Sequence, residues 1–169
     1  MDADELPRVL DTLAALSDHE TALAGLYAAC AHHWSGDAAL WQRLADSERD
    51  HAKRLTEMAR IVAERPAGFR IGRPFSAAAG RLQAGYVENR TREVRGGGVA
   101  RRTALLMARE IERSIIETRL NELLETDERD YLTIADRVVA ETGDHRRLLE
   151  QELASDEVIG GTRTTSGDA

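Results

Sequence analysis

Carboxylates interrupt apolar stripes at four places along this chain, so any fold that buries the stripes has to accommodate the charge. Leu13, Leu16, Glu20, Leu23, Tyr27, Cys30 and Trp34 recur at the three- and four-residue spacing of one buried helix face, and Glu20 stands where a leucine would be expected. Trp41, Leu44, Glu48, His51, Leu55, Met58 and Val62 repeat the pattern with a Glu-x-x-His interruption. Glu112 falls among Leu105, Ala108, Ile115 and Ile116, while Glu141 and His145 fall among Ile134, Val138, Leu148 and Leu149.

Taking an ionised carboxylate out of water costs roughly several kcal/mol even after relaxation, whereas burying a leucine contributes only about 1.5–3 kcal/mol. Four unpaired core carboxylates would therefore prevent folding. The acids can stay protonated, pair with bases or ligate cations. The stripes supply only His51 and His145 as nearby bases, whereas two divalent ions would balance four carboxylates and use both imidazoles as neutral ligands. Glu20, Glu48, His51, Glu112, Glu141 and His145 are thus the expected metal ligands, with Glu20, Glu48, His51, Glu112 and His145 as the catalytic set. Two Glu and two Glu/His pairs from four helices form the inward-facing ligand set of a carboxylate-bridged dimetal bundle. Mixed carboxylate and imidazole ligands suit iron or manganese, and zinc or copper by affinity alone.

Few aromatics (4%), three prolines and abundant Ala, Leu, Arg and Glu favour helix over sheet, and 169 residues suffice for one four-helix core. A net charge of −7 without a basic face argues against nucleic-acid binding. The start of the chain, Met1-Asp2-Ala3-Asp4-Glu5, has neither a basic region nor a long apolar run, so no signal or membrane span is expected and a cytoplasmic location is the simplest assignment. Cys30 is the single cysteine, expected as a small buried residue. Alone, it cannot build a Cys-x-x-Cys iron site, so electrons have to come from another molecule.

Helix 1 is expected from near Pro7 to His33, and helix 2, capped by Asp37, to Glu64, where Arg65-Pro66-Ala67-Gly68 ends it. The segment 69–98 is too long for an ordinary loop. Phe75, Ala79, Leu82, Tyr86 and Val87 give it a short helix over Ser76 to Arg92, ended by Gly96-Gly97-Gly98. Helix 3 is expected over Val99 to Glu125, a turn at Thr126-Asp127, helix 4 over Glu128 to Ser155, and a disordered tail over 156–169. Two short hairpin turns around one long connection suit a bundle with one crossover. The halves also look alike: in each a lone Glu is followed at similar distance by a histidine preceded by aspartate, Asp50-His51 and Asp144-His145.

At Glu20 with Tyr27, Glu48-Arg49-Asp50-His51, Ile111-Glu112 and Glu141-Thr142-Gly143-Asp144-His145 the chain resembles the rubrerythrin-like branch of the ferritin-like superfamily, over roughly Leu6 to Leu153. That resemblance implies an all-α, ferritin-like four-helix bundle with one long crossover. It also implies a di-iron site reacting with hydrogen peroxide or dioxygen as a peroxidase or ferroxidase, and a homodimer. Two departures stand out. The family's second Glu-x-x-His places a glutamate at position 142, where this chain has Thr142, leaving Glu141 as the candidate carboxylate. At about 100° per residue, Thr142 points about 60° from His145 and Glu141 about 40° to the other side, so both can face the core. The rubredoxin-type module through which rubrerythrins accept electrons is also missing, which leaves simple iron oxidation or an external reductase.

The competing reading is a helical scaffold that binds metal without redox turnover, or binds none. In isolation Glu48 with His51 is an ordinary surface pair, and the coincidence of four stripes decides against it. Glu110 and Glu117 share a face with Arg113 and read as solvated. His32 and His33 suit the negative end of helix 1. Asp50 and Asp144 read either as solvated or as orienting an imidazole, Tyr27 as core with a hydroxyl in reach of a ligating carboxylate, and Trp34 with Trp41 as the closure of the bundle end.

Overall fold

The structure, a computed structural model, describes residues 1–2, 4–73, 76–113 and 120–161, the last six by backbone alone. It is mostly helical: α1 spans Glu5–His33, α2 Ala38–Glu64, α3 Ala77–Arg95, α4 Arg101–Glu112 and α5 Arg129–Gly161. Short 3-10 turns cover Ser35–Asp37, Pro66–Gly68 and Leu120–Glu122. Two three-residue strands, β1 Phe69–Ile71 and β2 Leu124–Thr126, pair antiparallel with Phe69 opposite Thr126 and Ile71 opposite Leu124.

Local chemistry explains most boundaries. Asp2 Oδ1 accepts from the backbone N–H of Asp4 (2.9 Å) and Glu5 (2.8 Å), while Glu5 Oε2 accepts from the N–H of Asp2 (2.9 Å). This reciprocal capping box starts α1 two residues before Pro7, earlier than the proline suggests. Ser76 caps α3 by accepting from Ala79 N–H. Asp37 makes no side-chain cap on α2. Both its oxygens instead accept from Arg101, at 2.6 and 2.9 Å, because a charge-assisted bidentate pair outweighs a single cap bond.

The strand pair corrects the expected third helix. The α4 helix ends at Glu112, and the segment expected to continue it to Glu125 closes in a 3-10 turn and β2. Phe69, fully buried, packs edge-on to Tyr131 at 5.2 Å, and the N-terminal amine donates to its carbonyl. These tertiary contacts fix segments too short to show a period. Ile115, Ile116 and Glu117 lie outside the described residues, as do Phe75 and the tail from 162 onward, whereas 156–161, expected as tail, continue α5.

The helices form a circuit. Ser17 bonds to Ala52 between α1 and α2, Ser47 to His145 between α2 and α5, Arg113 to Glu150 at the junction of α4 with α5, and Tyr27 to Glu112 between α1 and α4. Asp37 meets Arg101 at one end and Arg65 meets Glu128 at the other. The α2 and α4 helices therefore run in the same direction, and α3 provides the return. It lies along α1, paired Asp11 to Arg81 and pressed so close at Gly80 that a Cβ there would sit 3.1 Å from that of Ala15.

Two apolar clusters fill the interior. One gathers Leu23, Tyr27, Cys30, Trp41, Leu44, Leu105 and Leu149, and the other Val9, Leu13, Leu16, Leu55, Met58, Phe69, Tyr131 and Val138. Between Leu16 and Leu23 on α1 comes Glu20, between Ala45 and Leu55 on α2 come Glu48 and His51, and between Val138 and Leu149 on α5 come Thr142 and His145. A polar layer thus lies between two greasy ones.

Candidate metal centre

Five of the six expected ligands meet in that layer. Glu20, Glu48, His51, Glu112 and His145 are all at most 5% exposed. They form two groups, Glu20 with Glu48 and His51, and Glu48 with Glu112 and His145. Within each group one ligand atom per residue lies within 4.8 Å of the others. Glu48 belongs to both. Its Oε2 lies 2.8 Å from His51 Nδ1 and its Oε1 2.9 Å from His145 Nδ1. Glu20 Oε2 is 3.9 Å from His51 Nδ1, and Glu112 Oε1 is 3.5 Å from His145 Nδ1. The imidazole rings stack 5.4 Å apart.

These close approaches are not ordinary hydrogen bonds. His51 Nδ1, His145 Nδ1 and Glu48 Oε1 are buried, and none has a partner in hydrogen-bond geometry among the described residues. Acceptor atoms gathered within 4.8 Å of one another without hydrogen-bond geometry are what ligands of a cation present, and the mix of carboxylate oxygen and imidazole nitrogen fits a divalent transition metal. The far nitrogens are occupied: His51 Nε2 lies 3.0 Å from Glu141 Oε2 and His145 Nε2 2.9 Å from Ser47 Oγ. A carboxylate can only accept, so Nε2 of His51 carries the proton and Nδ1 is left free to ligate.

Glu141, expected as the sixth ligand, lies apart from both groups. Its side chain is 28% exposed, on the outer side of His51, where Arg54 and Arg137 both donate to it. Burial works to raise its pKa, but Arg137, Arg54 and His51 outweigh this and lower it to about 2. Two guanidiniums hold the carboxylate at the rim, and Thr142 takes the inward position, 1% exposed, with a hydroxyl that makes no hydrogen bond among the described residues. The inner set is three carboxylates and two imidazoles.

The charges are strongly coupled. Burial opposes ionisation of Glu48, yet the two facing imidazoles hold its pKa well below the carboxylate range. Burial likewise opposes a charged His145, but Glu112 and Glu48 push its pKa up to about 10, and Glu48 with Glu141 raises that of His51. Tyr27 donates to Glu112 Oε1 at 2.6 Å, the role its spacing from Glu20 suggested, although the carboxylate it meets is on α4.

Sequence reasoning missed Ser47 and Arg54. The signal was present for Arg54, which follows His51 by three positions and shares its helix face, whereas nothing in the spacing marks Ser47. Asp50 pairs with Lys53 and Asp144 with Arg147, all exposed, so neither aspartate orients a histidine. Glu110 pairs with Arg109 and Arg113 at the surface. Replacing Glu141 with Gln is expected to weaken metal binding about 10–100-fold, as loss of an outer partner does, without changing the number of ions bound. Calorimetric titration checks this, and loss of a whole site would return Glu141 to the ligand set.

No family model, curated protein or solved structure matches this chain. No helix among the described residues is long and apolar enough to cross a membrane.

Proposed function

We propose that this chain is a ferritin-like, rubrerythrin-type dimetal protein that reduces hydrogen peroxide or dioxygen at the Glu/His layer. The observation that carries the reading is Glu48: a single buried carboxylate whose two oxygens each face a different imidazole, the position of a bridge between two ions. The parallel course of α2 and α4, with α3 as the long return, supports the ferritin-like architecture.

Glu20 and His51 would hold one ion, Glu112 and His145 the other, and Glu48 both. Iron bound there would supply the electrons for reduction of the oxidant, and manganese or zinc fits the same ligands. The chain's own residues set the conditions. Glu141 and Ser47 fix the imidazole rings, Tyr27 donates a hydrogen bond to Oε1 of Glu112, and the apolar clusters above and below exclude bulk water. Aerobic addition of Fe(II) is expected to develop the near-ultraviolet absorption of ferric iron at a rate well above that of buffer, and the Glu48→Ala, His51→Ala double variant is expected to lose this. Equal rates in parent and variant would sink the redox reading.

A metal-free scaffold has one observation in its favour. Protonated His51 and His145 would offset the carboxylates without any cation, and the neighbouring Glu48, Glu112 and Glu141 favour that protonation. Elemental analysis after anaerobic loading separates the two, since the scaffold predicts well under one ion per chain.

A further inference from the structure

Glu112 is the first member of a chain of contacts that leads out of the core. Tyr27, fully buried, donates to its Oε1, and the Tyr27 ring lies 5.8 Å from that of Trp41, also fully buried. Trp41 in turn lies 6.4 Å from Trp34, which is only partly buried and meets the exposed His33 edge-on at 4.7 Å. Tyrosine and tryptophan are the side chains most easily oxidised by one electron without bond cleavage, and short gaps between their rings permit electron hopping. Packing alone explains two tryptophans at a bundle end, but it does not explain a continuous row of oxidisable rings from a buried acid to the surface. Trp41 Nε1 is buried and has no hydrogen-bond partner among the described residues. With no hydrogen-bonded acceptor for its proton there, an oxidised Trp41 stays strongly oxidising and draws its electron from Trp34.

We infer that Tyr27, Trp41 and Trp34 form a relay that brings electrons, one at a time, from a one-electron donor at the α1–α2 turn to the Glu/His layer. The inference rests on the dimetal reading above. Reduction of one hydrogen peroxide to two waters consumes two electrons and two protons. Each electron leaves Tyr27 as its phenolic proton passes to Glu112, Trp41 refills Tyr27 and the proton returns, Trp34 refills Trp41, and the donor refills Trp34. With no donor the deficit settles on Trp34. Loss of two electrons and two protons there, with addition of water, gives a hydroxylated indole; the sum is Trp34 plus peroxide to hydroxylated Trp34 plus one water, the added oxygen coming from solvent and the two protons serving the reduction of peroxide.

The test is peptide mass spectrometry of the full chain, iron content having been measured first, after exposure to hydrogen peroxide without reductant. Trp34 is expected to gain oxygen in iron-loaded protein, to stay unmodified in iron-free protein, and to be protected by ascorbate. In Trp41→Phe, loaded with iron to the same level, the modification is expected to fall to the iron-free level. Should Trp41→Phe not fold, Tyr27→Phe keeps the ring, cuts the first link and is expected to give the same loss. Equal Trp34 oxidation in either folded variant and the parent, or none in the loaded parent, overturns the relay and leaves the dimetal reading standing. Failure of the parent to bind iron overturns both.

Discussion

Replacing Glu48 with alanine is expected to abolish metal binding altogether, whereas Glu20→Ala and Glu112→Ala each leave one ion bound. The asymmetry follows from the geometry: Glu20 belongs to one group of ligands and Glu112 to the other, but Glu48 belongs to both. Removing it takes an oxygen from 2.8 Å off His51 and another from 2.9 Å off His145. The affinity loss should exceed the roughly 10–100-fold typical of an outer partner, and anaerobic titration with Mn(II) or Fe(II) reads it directly. A Glu48→Ala variant that still bound one ion tightly would show that the carboxylate is not shared.

The second large effect concerns stability without metal. His145→Ala is expected to destabilise the metal-free protein by about 3–5 kcal/mol, because it leaves buried carboxylates uncompensated. Replacing the whole inner set by apolar side chains of similar volume should instead be neutral or stabilising by about 1–4 kcal/mol. The pH dependence has a definite sign. His145 is raised from 6.5 to about 10 in the folded chain, so its contribution is complete below pH 6.5 and disappears as the pH climbs towards 10. Glu48 is lowered from 4.5, so its contribution is complete above pH 4.5 and is lost on acidification. Denaturant titrations of the metal-free protein should therefore show greatest stability between these values, with the alkaline decline in His145→Ala reduced to the part that His51 contributes. Metal ions require neutral imidazole, so loaded protein should lose this alkaline decline.

The sequence showed the helical class, the ends of α1 and α2, the accessory helix and five buried Glu and His residues from periods and their breaks. An acid inside a three- and four-residue stripe announces burial whatever the tertiary detail. The strand pair was not legible: Phe69–Ile71 and Leu124–Thr126 are three residues long, and only their pairing and the Phe69 contact with Tyr131 define them. The exchange of Glu141 for Thr142 was missed for a different reason. Helical angles allow both to face inward, and the choice is made by Arg54, on another helix, and Arg137, one turn before Glu141. Asp37 shows the same limit, since its expected cap was displaced by an arginine that lies far along the chain.

Anomalous diffraction from crystals loaded with manganese or iron under anaerobic conditions tests the central claim most directly. The account predicts two peaks per chain flanking Glu48, one beside Glu20 and His51, the other beside Glu112 and His145. A single peak, or none with Glu48 held only by protonated His51 and His145, would contradict it.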